Sequence, residues 1–144
     1  MKTKTLTSMI LNTQKYCNSL LKSEPCIKYP FHNLIHTHEV VANVRHISTQ
    51  LKLTNREQLI LEIAAWFHDT GFSKTYKGHE DVSKELAWEY LTTQDVDKQI
   101  LQDVLGCIEA TKMPQNPQNK LEKLCAMRIY IISPLLNSST KNCY

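Results

Sequence analysis

Residues 54–72 read TNREQLILEIAAWFHDTGF, and this stretch decides the fold. Thr54 followed three residues later by Glu57 fits a capping box, in which each residue satisfies an amide of the other's turn. Leu59, Ile60, Ile63, Ala64, Trp66 and Phe67 then recur at helical spacing, which predicts a helix over 55–69 with one broad buried face. Gly71 supplies the expected stop. His68 and Asp69 therefore fall in the last turn of an apolar helix. A buried Asp beside a buried His costs several kcal/mol unless its charge is neutralised, and a cation does this.

Working upstream, residues 31–41 read FHNLIHTHEVV. His32 and His36 are four apart and share a helix face. Val40, Val41, Val44, Ile47 and Leu51 continue an apolar stripe below them. Pro30 favours a helix start near Asn33 to His36, which puts His36 at the helix entrance. His38 lies off the stripe and reads as solvated, and His46 reads as an exposed or satisfied histidine. A histidine from one helix and a His-Asp pair from another make a set that can hold a divalent cation.

This pattern resembles that of the HD superfamily of metal-dependent phosphohydrolases, whose signature is H…HD…D. FHNLIHTHEV also resembles the YHNxxHxxDV motif of the cyclic-nucleotide phosphodiesterases, which share the fold. The resemblance covers residues from about 5 to 125 and implies an all-α helical bundle. It implies His36, His68 and Asp69 as metal ligands, with Asp69 also catalytic. It implies His32 as the proton donor to the leaving oxygen. His79, in KGHEDVSKELA, resembles a further histidine near a second metal or the substrate phosphate, with Glu80 beside it. Glu80 and Asp81 read equally well as acids in the first turn of the next helix. The implied cofactor is a divalent ion; a mixed His/Asp set suits Mn, Mg, Zn, Fe or Co and does not choose among them. The implied substrate is a small phosphorylated molecule, a nucleotide or related phosphate ester. Two other readings stay open on the residues: a non-catalytic helical module binding a nucleotide or protein, and a di-iron oxygenase site, against which the HN-x-x-H stretch argues.

The final carboxylate of that signature is missing. A segment like IEATKMPQNPQNKLEKL, present at 108–124, should lead into a helix reading L-x-D-A-D-L, yet no acid follows Glu122. A permitted back-translation of Ala126 to Ser133, read two nucleotides later, gives Asp-Ala-Asp-Leu-Tyr-Tyr-Phe. The expectation is therefore an HD domain over 1–125, incomplete at its C-terminus, and a frameshifted tail over 126–144. Activity should suffer accordingly.

The rest of the chain is consistent with one domain of 144 residues. Periodicity predicts helices over 5–23, 34–52, 79–93, 96–111 and 120–132. Loops are expected at Gly71–Gly78 and around Pro114 and Pro117. Cys17, Cys26, Cys107, Cys125 and Cys143 are odd in number and lack CxxC spacing, so buried thiols are expected rather than a cysteine site. Residues 1–10 lack the apolar core of a signal peptide, and no apolar run is long enough for a membrane span, which makes a cytoplasmic protein the expectation. Net charge of +3 is too small to call for nucleic acid. It is lopsided, with seven Lys/Arg against two acids in residues 1–52. Oligomeric state is not legible.

Overall fold

A computed structural model of the chain describes residues 3–23, 34–113 and 115–127. The expectations for His32, Cys26, Pro114, Cys143 and the tail from 128 lie outside the described residues. The fold is all-α, with no strand among the described residues. Its helices are α1 (Thr3–Leu21), α2 (Leu34–Gln50), α3 (Asn55–Phe67), α4 (His79–Thr92) and α5 (Lys98–Glu109), with a 3-10 turn at Thr70–Ser73 between α3 and α4. A further helical stretch, α6, spans 120–127.

α3 is the central rod. α1, α2, α4 and α5 all pack on it. Every residue from Leu59 to Phe67 is buried, Glu62 included. The sequence pattern implied one broad apolar face, whereas the helix is covered all round, as a helix with neighbours on every side must be. Glu62 sits in this interior because Arg45 Nε reaches it at 2.9 Å and Gln58 Nε2 at 3.3 Å. The Arg45 head stays half-exposed while its partner is desolvated. Each large side chain buried along α3 contributes on the order of 1.5–3 kcal/mol.

Local signals set the ends of the rod. The capping box is formed: Glu57 N donates to Thr54 Oγ1 and Thr54 N to Glu57 Oε1, both at 3.1 Å. Lys120 Nζ also donates to Glu57 Oε2 at 2.8 Å, so the start of α6 is tied to the start of α3. That ammonium, with the Thr54 amide, holds the Glu57 carboxyl down to about 2. α5 opens on Asp97, whose side chain accepts from Gln99 N at 2.7 Å. Its Ile100, Leu101, Val104, Cys107 and Ile108 recur at helical spacing and are buried. α1 docks through Tyr16, stacked on Tyr90 at 4.5 Å and tilted against Phe67 at 5.9 Å.

Two expectations need correction. Leu51 does not continue the α2 stripe, because the helix ends at Gln50 and Leu51 is half-exposed in the following turn. Gly71 is not the helix stop: α3 ends at Phe67, before it. The residue is small for a different reason, given below. Cys17, Cys107 and Cys125 are free, buried thiols, as expected. No helix among the described residues is long and apolar enough to cross a membrane.

Candidate metal centre

His68 caps the C-terminus of α3, its amide still bonded to Ala64 O at 2.9 Å. Asp69 leaves helical geometry (φ −111°, ψ 3°) and starts the 3-10 turn. The break matters, since side chains adjacent on a regular helix point about 100° apart. Here His68 Nε2 and Asp69 Oδ2 come within 3.2 Å. His36, third residue of α2, brings its Nε2 to 3.6 Å from the same oxygen. One ligand atom from each of His36, His68 and Asp69 lies within 4.8 Å of the others. The two imidazoles meet edge-on, with ring centres 5.6 Å apart. All three residues are buried.

The other Asp69 oxygen is also engaged. His79 Nε2 lies 3.3 Å from Oδ1, and His79 Nδ1 lies 3.5 Å from Glu80 Oε2. His79 is flattened against Phe72, with ring centres 3.8 Å apart and planes 19° from parallel. The carboxylate is thus shared between two sides, His36 and His68 on one and His79 on the other. Glu80 and Asp81 occupy the first turn of α4. Asp81 faces Lys112 and Lys84, which hold its carboxyl below the usual range.

Backbone clamps fix this geometry. Ser83, buried on α4, accepts from Gly71 N at 2.8 Å and donates to His68 O at 3.0 Å. Thr70 Oγ1 donates to Phe67 O at 2.7 Å. A Cβ on Gly71 would lie 1.8 Å from His79 O, so only glycine lets the turn after Asp69 close onto the start of α4. Neither Ser83 nor this role of Gly71 was legible in the sequence, because both act through a contact between separate elements.

The residues fit a cation. His68 Nδ1 lies 2.6 Å from Ala65 O, a contact that places a proton on Nδ1 and leaves Nε2 as the lone-pair nitrogen of the neutral ring. Nε2 is buried and makes no hydrogen bond of good geometry. Without a metal, burial pushes the His68 pKa down, but the adjacent Asp69 charge and the Ala65 carbonyl outweigh it and hold it up to about 9. The pocket is therefore tuned for positive charge, whether a proton or an ion carries it.

His38 and His46 are both exposed, as the sequence implied. His38 is not merely solvated: it lies 3.2 Å from Asn18 Oδ1 and stands edge-on to Trp66 at 5.0 Å. Cys125, on α6, is buried. No family model, curated protein or solved structure matches this chain.

Proposed function

We propose that this chain is a metal-dependent phosphohydrolase acting on a phosphomonoester or phosphodiester, with a divalent ion held by His36, His68 and Asp69. The observation that carries the reading is the convergence of those three buried side chains from α2 and the end of α3. A bound ion would supply charge for the phosphoryl oxygens and a water acidic enough to attack at neutral pH. Asp69 presents one oxygen to each side of the centre. His79, between Asp69 and Glu80, is the described imidazole best placed to hold a proton or a phosphate oxygen. His32 retains the role of proton donor that the family resemblance gives it.

Three protein ligands leave room for water in the coordination sphere, as catalytic sites require. Without the final carboxylate the site carries less negative charge, so weak metal retention and slow turnover are expected of the chain as written. Elemental analysis of the purified protein, alongside p-nitrophenol release from p-nitrophenyl phosphate and its bis-ester with added Mn2+, tests the reading. Metal and activity should both be lost in His68→Ala. Equal metal content in the two proteins refutes the site.

A further inference from the structure

Where α4 packs on α5, the two helices leave an open groove of about 760 Å³. Asp81, Lys84, Glu85 and Trp88 line it from α4, and Leu105 and Glu109 are among the α5 residues that face it. The α4 positions are spaced i, i+3, i+4 and i+7, so they form one stripe along that helix. Trp88 is 52% exposed. Scattered exposed hydrophobes are ordinary on any protein surface; this one shares a concavity with Leu105, which is half-buried and rests on the core.

The charges along the groove are matched except for one. Lys84 Nζ pairs with Glu109 and, at 3.3 Å, with Asp81. Lys112 Nζ lies 3.3 Å from Asp81 as well. Two lysines and two acids cancel in this set. Glu85 is exposed, and its side chain forms no ion pair or hydrogen bond among the described residues. It lies one helical turn from Trp88, so an aromatic face and a spare negative charge stand side by side, about 5–6 Å apart at Cβ.

The chain carries the complement of this surface on α1, a helix without a single acidic residue. Met9, Thr13, Cys17 and Leu21 form its buried face. Leu11, 51% exposed, and Lys15, also exposed, are four residues apart on the outer face and therefore neighbours. Lys15 forms no ion pair among the described residues. A leucine with a spare positive charge one turn away matches a tryptophan with a spare negative charge one turn away. We propose that the α4–α5 groove receives α1 of a second copy of this chain, with Leu11 lying on Trp88 and Lys15 pairing with Glu85. Trp88 is the anchor, because an enclosed tryptophan contributes far more to a contact than its neighbours do. The charge pair sets the register. The two surfaces differ, so each copy offers one of each. Two contacts close a dimer where the rotation allows it, and otherwise copies add head to tail.

Sedimentation equilibrium of the full chain, over about 1 µM to 1 mM, reads the association. The average mass of the parent protein should rise with concentration. Trp88→Ala should weaken the contact about thirtyfold or more, as loss of an anchoring tryptophan does. Glu85→Lys sets two ammonium groups against each other, and Lys15→Glu sets two carboxylates. Each variant alone should therefore associate about fivefold more weakly than the parent. An equimolar mixture of the two restores an opposite-charge pair at both contacts and should associate as the parent does. All three positions are exposed, so the melting curves should match that of the parent; if Trp88→Ala fails to fold, the charge exchange decides alone. A parent that stays monomeric across the whole range overturns the proposal and leaves the groove to a basic segment of another protein. Association that survives Trp88→Ala in a folded variant, or charge variants that do not rescue one another, overturns it too, since the copies then meet elsewhere.

Discussion

Three glycines offer a graded test of how the centre is held, and Gly71→Ala is the sharpest. The added methyl would sit 1.8 Å from His79 O, a backbone atom that cannot swing aside. Either the 3-10 turn or the first turn of α4 must shift. Overpacking of this kind costs about 1–3 kcal/mol. The shift also opens the Gly71–Ser83–His68 bridge, and leaving its buried groups unmatched adds about 1–3 kcal/mol. A total near 4 kcal/mol is a large part of the roughly 5–15 kcal/mol that stabilises a typical domain. With a urea slope of about 2 kcal/mol per molar, the unfolding midpoint should fall by roughly 2 M. Gly78 has nothing within 4 Å of its would-be Cβ, so Gly78→Ala meets only left-handed strain, about 1–2 kcal/mol. Gly106 lies inside α5 with only the Glu122 carboxylate nearby, at 3.5 Å, so Gly106→Ala should gain about 0.5–1 kcal/mol. Urea unfolding by circular dichroism ranks the three. Metal binding should fall in Gly71→Ala alone, because only that turn carries Asp69. If Gly71→Ala is as stable as Gly78→Ala, the close approach that builds the centre is not there.

Thr54→Ala should cost about 1 kcal/mol by removing the α3 cap, which a thermal or urea midpoint reads directly. In chelator-treated protein, the His68 pKa lies near 9 against an ordinary 6.5, so the folded state favours the protonated ring. That contribution, about 3 kcal/mol at 1.36 per pKa unit, is fully present below pH 6.5 and is lost as pH rises through 9. The melting temperature of the metal-free protein should fall across that window, and Asp69→Asn should flatten the slope. Ala126→Asp places a carboxylate at a buried position on α6, where the alternative reading frame has an aspartate. It should lower the melting temperature with chelator and raise it with saturating Mn2+, because the same charge is a burden when unpaired and a ligand when the ion is bound. A loss of stability under both conditions would place the final ligand elsewhere.

The fold was legible where the signal was local. Thr54 and Glu57 announce α3, and the structure forms their reciprocal bonds. The apolar positions of α5 repeat at helical spacing and are the ones buried. Extent was less legible than type. Nothing in the sequence distinguishes a helix covered on one face from one covered on all sides, and Glu62 argues locally for a solvated face. Arg45, on another helix, and Gln58, one turn earlier on α3, donate to its carboxylate and offset the cost of its burial. Leu51 shows the converse error: its spacing matches the stripe, but the chain has already left the helix one residue earlier.

The cluster was legible in its members and not in its scaffold. A His-Asp pair at the end of an apolar helix points to a cation only together with the upstream histidines, and the structure does bring His36, His68 and Asp69 together. Ser83 and Gly71 do not declare themselves, since a serine in an amphipathic helix and a glycine after a helix are both commonplace. Yet these two fix the direction of the Asp69 carboxylate, by tying the turn that carries it to α4. The geometry of the cluster that could hold a metal ion is therefore a property of the α3–α4 junction as much as of its three residues. The same junction carries the start of the 74–77 loop, whose Lys74 and Thr75 amides donate to Gly71 O, so one glycine spaces the turn after Asp69 from α4 and anchors the chain that follows it.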